Sequence, residues 1–543
     1  MIKKSLYPVV LILLLLSFNG MGQNFTRQDT LRGSITPERA WWDLVYYHLD
    51  ITVDPSDSTI KGSNTVTYKV LGDVTAMQID LQPPLRITGV EQNGNVLSFR
   101  QDGNAYFIDG LKNQGIGTIG TVKVLYEGKP RTSPNPPWSG GITWQRDEKG
   151  NPFVASSCQG DGASLWWPCK DHMYDEPDSM LISVAVPKGL MDVSNGRLRK
   201  VEKGKKFTKY HWFVENPINN YGVNINIGDY VHFSETYEGE NGPLTMDYYV
   251  LPKDEKAARE QFREAPRMMA AFEHWFGPYP FYEDGFKLVQ VPYLGMEHQS
   301  SVTYGNGFQN GYRGRDLSGS GWGLKFDFII VHESGHEWFA NNITYKDIAD
   351  MWIHESFTAY SENLFLDYYF GNEAAGAYTR GTRMNIQNKE PIIGVYNVNQ
   401  SGSGDMYYKG ANMLHMIRQI VDNDSLWRDV LRGLNKEFYH QTVTTQMIES
   451  YLINHTGINL APVFDQYLRD VRVPVLEYAR KGNTLFYRWN NTIDRFNMPV
   501  DVSINGKDIR LNANESWQTF EVSELNVDFS VDPDYYVSAM EIK

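Results

Sequence analysis

The segment HESGH at residues 332–336 constrains this chain more than any other stretch of its sequence. It follows the apolar run at 328–331, so the two together predict a buried helix. Side chains four positions apart in a helix project from one face, about one turn from each other. His332 and His336 are therefore predicted to point together into an interior cleft, with the carboxylate of Glu333 between them.

Two imidazoles with this spacing can bind one tetrahedral zinc ion, and a catalytic zinc needs a third protein ligand and one open position. Glu355 is the candidate third ligand, because the 18 residues between it and His336 allow one helix to end and another to begin. Glu333 is then placed to contact a zinc-bound water rather than the metal. Glu362, two helical turns after Glu355, could hold a ligand imidazole or be an ordinary solvated glutamate. His354 is predicted not to bind the metal.

Hydrophobic periodicity changes twice along the chain. Apolar and polar residues alternate over about 41–249, which predicts half-buried strands and an antiparallel β domain. Apolar residues then recur at helical spacing, and the chain is predicted to be mainly helical over about 326–470. Alternation returns after this region, with Asn505-Gly506 as a hairpin turn, and predicts a small β-sandwich.

These patterns predict a multidomain α+β protein with three folded parts. We place an N-terminal β domain at 23–250, a mostly helical domain at 251–473 and a C-terminal β-sandwich-like domain at 474–543. A length of 543 residues agrees with about three domains of roughly 150 residues each.

The first residues have the pattern of a secretory signal peptide. Lys3 and Lys4 precede the apolar run 9–16, and the small residues Gly20 and Gly22 follow it. We therefore expect cleavage near Gly22, a signal peptide at 1–22, and export to the periplasm or the cell exterior. The apolar run is shorter than the ~20 residues of a membrane anchor, and the sequence predicts no integral membrane segment.

Composition excludes several other classes. The chain has 51 Lys and Arg against 65 Asp and Glu, a formal charge of −14. An acidic surface disfavours general nucleic-acid binding, which needs a basic footprint. The two cysteines, Cys158 and Cys169, are too few for a disulfide scaffold or a CxxC zinc site, and the sequence leaves open whether they pair.

The HESGH segment, the 18-residue gap and Glu355 together resemble the aminopeptidase N family of gluzincin zinc metallopeptidases, which includes leukotriene hydrolase. The resemblance covers most of the chain, from about residue 47 to residue 474. It implies a thermolysin-like catalytic domain that holds one Zn²⁺ ion through His332, His336 and Glu355. It also implies that Glu333 is the general base that activates the zinc-bound water.

Two further segments extend the resemblance to substrate binding. The segment LGMEH at 294–298 resembles the family's GAMEN exopeptidase motif, with His298 in place of the usual Asn. The resemblance implies that Glu297 binds the free α-ammonium group of a peptide. The segment SCQG at 157–160 resembles part of the family's N-domain signature, and by position Gln159 would share that amine with Glu297.

The segment YYKG at 407–410 resembles the family's YxKG motif. It implies that Tyr407 is the catalytic tyrosine, which hydrogen-bonds the oxyanion, with the neighbouring Tyr408 as the alternative assignment. Many relatives end in a long helical domain over the active site, whereas about 70 residues of β character follow the catalytic region here. We therefore expect a short form of the family with a more open cleft.

The sequence thus predicts an exported zinc aminopeptidase that acts on peptides with a free N-terminus. Two alternatives stay open: an exported zinc endopeptidase of the same fold, and a catalytically inactive peptide-binding relative. The sequence neither supports nor excludes epoxide hydrolysis as a side activity. It also leaves the oligomeric state and the preference for the first residue of the substrate unassigned.

Overall fold

The computed structural model of the chain describes residues 25–111, 115–522 and 528–543. The predicted signal peptide at 1–22 lies outside these residues. Within the described ranges, no helix combines the length and the apolar character needed to cross a membrane.

The N-terminal part begins with two short helices, α1 (Arg27–Gly33) and α2 (Pro37–Ala40), and continues as strands. The strands are β1 (Trp42–Asp54), β2 (Thr59–Val70), β3 (Met77–Asp80), β4 (Arg86–Gln92), β5 (Asn95–Val96), β6 (Phe99–Asp102), β7 (Ala105–Ile108), β8 (Ile119–Gly128), β9 (Gly141–Arg146), β10 (Pro152–Ser157), β11 (Ser179–Pro187), β12 (Met191–Val193), β13 (Arg197–Lys203), β14 (Phe207–Val214) and β15 (Asn226–Gly228). They form an eight-stranded sheet in the order β13-β14-β11-β1-β2-β8-β4-β5, a four-stranded sheet, β12-β15-β10-β9, and a three-stranded sheet, β3-β7-β6.

Most neighbouring strands of the large sheet are antiparallel, as predicted, but β1 and β11 run parallel. Leu49 pairs with Ile182 on β11 and with Asn64 on β2. Period-two alternation shows that a strand is half-buried and does not specify its partner, so the sequence could not identify this parallel pair.

The next sheet joins the β-rich and helical parts of the chain. It contains β16 (Val231–Gly239), β17 (Gly242–Val250), β18 (Phe286–Gln290), β19 (Gly295–Met296) and β20 (Val302–Tyr304), in the order β16-β17-β18-β20-β19. The hairpin of β16 and β17 falls before the predicted boundary at residue 250. It nevertheless hydrogen-bonds to β18, since Met246 pairs with Phe286. By its hydrogen bonds, this hairpin therefore belongs with the mostly helical domain, which starts near residue 231.

The helical region contains α3 (Glu255–Gln261), α4 (Glu264–Phe276), α5 (Phe328–Gly335), α6 (Trp352–Phe370), α7 (Asn372–Thr382), α8 (Tyr408–Val421), α9 (Asp424–Glu437), α10 (Thr445–Thr456) and α11 (Ala461–Leu468), with a small parallel pair, β21 (Ile343–Tyr345) and β22 (Gln441–Val443). Helix α6 is central, because its residues 352–366 are all buried. Two glycines let its neighbours approach closely. A Cβ on Gly335 of α5 would lie 2.6 Å from Ser361 Oγ, and a Cβ on Gly410 of α8 would collide with Ser356 Oγ.

The C-terminal strands are β23 (Val475–Lys481), β24 (Thr484–Asn490), β25 (Asn497–Ile504), β26 (Lys507–Asn514), β27 (Gln518–Glu521), β28 (Phe529–Val531) and β29 (Ser538–Glu541). They form two sheets, β27-β24-β23-β29 and β26-β25-β28. Asn505 (φ 53°) and Gly506 (φ 73°) form the predicted turn between β25 and β26. The predicted fold class, β domain, mainly helical domain and small C-terminal β domain, is confirmed.

Candidate active site

Three side chains converge where α5 meets α6. Asp327 is the N-cap of helix α5, and its Oδ1 accepts hydrogen bonds from the backbone N–H groups of Ile329 and Ile330. This helix carries His332, and His336 caps its C-terminal end. In the first turn of α6, Glu355 Oε2 lies 3.8 Å from His332 Nε2 and 3.5 Å from His336 Nε2.

This trio has the geometry and chemistry of a metal site. One ligand atom from each of His332, His336 and Glu355 lies within 4.8 Å of the other two, and all three residues are buried. Oε2 of Glu355 accepts no hydrogen bond from the described residues. A buried carboxylate oxygen without a partner is costly unless a cation sits beside it. Two imidazoles and one carboxylate with an open fourth position form the donor set of a catalytic zinc ion, so these residues fit zinc.

The Nδ1 atoms of both imidazoles contact other residues. His332 Nδ1 lies 2.7 Å from Glu362 Oε1, and Oε2 of Glu362 accepts a hydrogen bond of 2.5 Å from Tyr378 Oη. His336 Nδ1 lies 3.0 Å from both the Phe339 carbonyl oxygen and Thr358 Oγ1. These contacts direct both Nε2 atoms toward the shared centre. Of the two roles that the sequence allows for Glu362, the structure favours holding an imidazole, because the residue is fully buried.

Glu333 lies next to this centre without belonging to the trio. Its carboxylate is within 4.8 Å of ligand atoms of Glu297 and His336. Burial raises the pKa of Glu333 to about 7, with a contribution from Glu297 and against the opposing effect of His332. A carboxylate with a pKa near 7 can both accept and return a proton at neutral pH. Strand β19 passes close to α5 here, because a Cβ on Gly295 would lie 2.5 Å from Ile329 Cγ2.

Glu297 follows β19 directly and is 3% exposed. Its Oε1 accepts no hydrogen bond from the described residues, and burial raises the pKa of its carboxyl. The buried oxygen therefore lacks the cation that such a group needs, and the cleft is where one can reach it. The neighbouring His298 is fully buried and does not line the cleft. Burial lowers the pKa of His298 to about 3, so its ring is neutral at physiological pH.

The segment that carries Glu297 is held by the turn after α5. Asn341 Nδ2 donates to the Glu297 carbonyl oxygen at 2.9 Å, and the Ser300 N–H donates to Glu337 Oε1 at 2.8 Å. Gly196 N–H donates to Ser300 Oγ at 2.9 Å from the other side. The turn that follows the metal-site helix thus fixes the position of Glu297. The resemblance gave no role to Glu337 or Asn341, and no sequence spacing links them to Ser300.

Gln159 follows strand β10 and reaches the same cleft from the β domain. Its Nε2 donates to Glu355 Oε1 at 2.8 Å. The resemblance implied that it would share a substrate amine with Glu297. In the structure its amide N–H holds the second oxygen of the candidate metal ligand, and the predicted contact of Gln159 with the amine stays a prediction.

Both candidate tyrosines line the cleft. Tyr407 immediately precedes α8, and its ring centroid lies 6.2 Å from that of His332. Burial, the carboxylate of Glu355 and other nearby acids raise the pKa of Tyr407 well above its usual value, so its hydroxyl stays protonated and can donate. Tyr408 also faces the cleft, so position in the cleft alone does not separate the two.

The remaining residues singled out from the sequence lie apart from the centre. His354 Nε2 accepts a hydrogen bond from the Tyr345 N–H at 2.9 Å, so its ring points away from the trio, as its predicted non-ligating role requires. Cys158 and Cys169 are free, buried thiols.

The cleft between the β domain and the helical region has a volume of about 260 Å³. Its walls are mainly apolar and aromatic, and its polar groups are those described above. The other lining residues are Pro137, Trp138, Leu294, Gly295, Met296, Tyr312, Phe328 and Ile329. The loop residues Trp138 and Tyr312 carry no motif and were missed from sequence.

Comparison with known proteins agrees with this site. The model of the peptidase family M1 domain matches residues 261–467. Leucyl aminopeptidase of Saccharolobus solfataricus is 22% identical over 78% of this chain and 54% of its own length. Leukotriene A-4 hydrolase of Xenopus laevis is 24% identical over 77% of this chain and 69% of its own length. The chain spans about half the length of several curated relatives that it matches.

The fold is similar to that of solved structures. An M1 zinc metallopeptidase from Deinococcus radiodurans aligns with a TM-score of 0.66 and 19% sequence identity, and the alignment covers 80% of this chain and 96% of that chain. At 19% sequence identity, this similarity shows a shared fold and nothing more.

Proposed function

We propose that this chain is a member of peptidase family M1 and an exported zinc-dependent aminopeptidase that removes the N-terminal residue from peptides. One observation carries the proposal: two buried carboxylate oxygens that lack a hydrogen-bond partner among the described residues belong to residues lining the same cleft, Glu355 beside the two imidazoles and Glu297 outside that trio, near Glu333 and His336. The first suits a metal ion and the second suits the ammonium group of a substrate.

Three residues would hold the zinc ion, namely His332, His336 and Glu355. Zinc bound there would supply Lewis acidity, which polarises a peptide carbonyl and lowers the pKa of a water molecule toward neutrality. Glu333, beside this centre, is placed to take the proton of the attacking water and to pass it to the leaving amine.

Tyr407 is placed to donate its hydroxyl proton to the carbonyl oxygen as negative charge develops there. Its ring lies beside the His332 ring, and its raised pKa keeps the hydroxyl protonated. A donor that is already oriented needs no reorganisation when the charge forms, which is why such donors contribute strongly to rate.

Glu297 limits cleavage to the first peptide bond, so that one residue is removed at a time. A charge-assisted contact with the α-ammonium group would satisfy its buried oxygen. Because Glu297 and Glu333 lie within 4.8 Å of each other through their ligand atoms, an ammonium held at Glu297 keeps the first carbonyl near the general base. Gln159 supports this arrangement from the β domain by holding Glu355.

The proposal is tested with chromogenic aminoacyl amides that have a free or an acetylated amine. We expect hydrolysis of the free amides, loss of that activity in a chelator and recovery on addition of Zn²⁺. Equal hydrolysis of acetylated and free amides would favour the endopeptidase alternative. A protein that binds no zinc and cleaves nothing would favour the inactive peptide-binding alternative.

A further inference from the structure

Trp138 lies at the mouth of the cleft, and its side chain is 57% exposed. Single exposed aromatic residues are common on protein surfaces, so exposure alone carries no argument. Two other observations do: Trp138 lines the same cleft as Gln159 and Glu297, and both ends of its loop contact Asp161.

The anchor of this loop is Asp161. Its Oδ2 lies 2.7 Å from Arg131 Nη2 at the start of the loop and accepts a hydrogen bond of 2.7 Å from the Gly140 N–H at its end. The loop ends also pair through their backbones, since the Ser133 N–H donates to the Ile142 carbonyl oxygen.

Three prolines in the sequence SPNPPWS, at positions 134, 136 and 137, restrict the φ angles of the loop itself. A ring held on such a backbone loses little conformational freedom when a ligand packs against it. Trp138 is therefore carried at the cleft mouth on a backbone of restricted freedom.

The anchor also connects the Trp138 loop with Gln159. Asp161 follows Gln159 by two residues, and Gln159 holds Glu355 at the centre of the site. Trp138 and Gln159 therefore belong to one wall, built by the β domain. The side chain of the first substrate residue leaves its Cα next to the ammonium group, within the cleft that Trp138, Gln159 and Glu297 all line.

The lining residues from the helical region favour apolar substrate side chains. The helical region contributes Tyr312, Phe328 and Tyr408. Among the described residues that line the cleft none is Lys or Arg, so an acidic side chain finds no basic side chain to pair with there. A space between aromatic walls is filled best by a large apolar or aromatic group.

We propose that Trp138 packs against the side chain of the first substrate residue and gives the enzyme a preference for aromatic and large aliphatic N-terminal residues. This inference rests on the proposed aminopeptidase function. It adds a specificity-determining residue to the site.

The test compares kcat/KM for phenylalanyl, leucyl and alanyl p-nitroanilides in the zinc-loaded enzyme. We expect the wild type to prefer the phenylalanyl and leucyl substrates. Trp138→Ala should lose about tenfold in kcat/KM on these two, mainly through KM, and should change little on the alanyl substrate. Trp138→Phe should recover most of the loss, because it restores an aromatic face.

Trp517→Ala is the matched control. Trp517 is 42% exposed on the C-terminal domain, where the Arg488 guanidinium lies 4.6 Å from its ring centroid. It should leave all three kcat/KM values unchanged. Equal losses on all three substrates in Trp138→Ala, or no loss on any, would overturn the inference while the aminopeptidase function stands. A wild-type enzyme inactive on the whole panel would overturn both.

Discussion

Glu355 and Glu297 each bury a carboxylate oxygen that accepts no hydrogen bond from the described residues, yet their surroundings differ. Oε2 of Glu355 faces two imidazole nitrogens at 3.5 and 3.8 Å, a spacing that leaves room for an ion between them. Glu297 lies outside that trio, with its carboxylate within 4.8 Å of Glu333 and His336, and it lines the open cleft. We therefore propose that Glu355 contacts a bound metal ion and that Glu297 contacts the ammonium group of a substrate.

Replacing Glu297 with Ala should separate substrates by their amine. We expect a large loss of kcat/KM on free aminoacyl amides, because the ammonium group loses its charge-assisted partner. N-acetylated substrates carry no such charge, so any slow cleavage of them should hardly change. Steady-state kinetics on matched free and acetylated amides measure this. Equal losses on both would contradict the anchoring role of Glu297.

The assignment of the oxyanion donor is tested by a pair of adjacent substitutions. Tyr407→Phe should lower kcat by a factor of about 10² or more, because one preset donor is removed. Tyr408→Phe is the control and should retain most of kcat, since the ring still fills its side of the cleft. If Tyr408→Phe gave the large loss instead, the tyrosine assignment would shift by one residue.

Helix α6 organises the site, because α5 and α8 both pack against it through a glycine. Gly335 lies between His332 and His336 on α5, and Gly410 lies about one turn after Tyr407 on α8. The separation of these helices therefore fixes the distances among the candidate ligands and the tyrosine. Motif glycines that look permissive in the sequence are required here by close helix packing.

Gly410→Ala should lower both stability and turnover. Its Cβ would collide with Ser356 Oγ next to Glu355, so α8 must shift and carry Tyr407 with it. Overpacking of this kind costs about 1–3 kcal/mol of unfolding free energy. Gly404→Ala is the matched control, because a Cβ there meets no atom of the described residues within 4 Å. Thermal unfolding and kcat measure both variants, and an unchanged Gly410→Ala would contradict the packing argument.

At the level of the whole chain, the helical region and the C-terminal sandwich share one hydrophobic core. Polar contacts join them as well: Tyr467 Oη donates to the Tyr536 carbonyl oxygen at 2.7 Å, and Arg383 Nη1 donates to the Pro533 carbonyl oxygen at 2.8 Å. The small β domain therefore packs as part of the catalytic unit. The β domain on the other side contributes Gln159 and Trp138, so two of the three predicted domains meet at the cleft.

Sequence reasoning succeeded where function depends on local spacing. The i, i+4 histidines and the next-helix Glu355 were predicted as one cluster, and the structure brings these three residues together. It was less informative where distant segments meet. Gln159 was expected at the substrate amine, which stays a prediction, and its contact with Glu355 was not foreseen. Trp138 was missed, because no periodicity connects its loop with the helices it faces.

The proposed export can be tested directly. Expression of the full sequence in a secreting host should yield a processed protein whose N-terminus lies near Gln23, because the pattern of residues 1–22 is that of a cleaved signal peptide. N-terminal sequencing or intact mass measures the cleavage site. An unprocessed protein retained in the cytosol would contradict the proposed export.

The proposed function depends on one zinc ion held by His332, His336 and Glu355. The metal content of the protein tests this binding most directly. We predict one zinc per chain by inductively coupled plasma mass spectrometry in the purified wild type. Glu333→Gln should also retain one zinc, with nearly all turnover lost. Glu355→Ala should lose most of the metal. A wild type without zinc, or a folded Glu355→Ala variant with a full complement, would contradict the account.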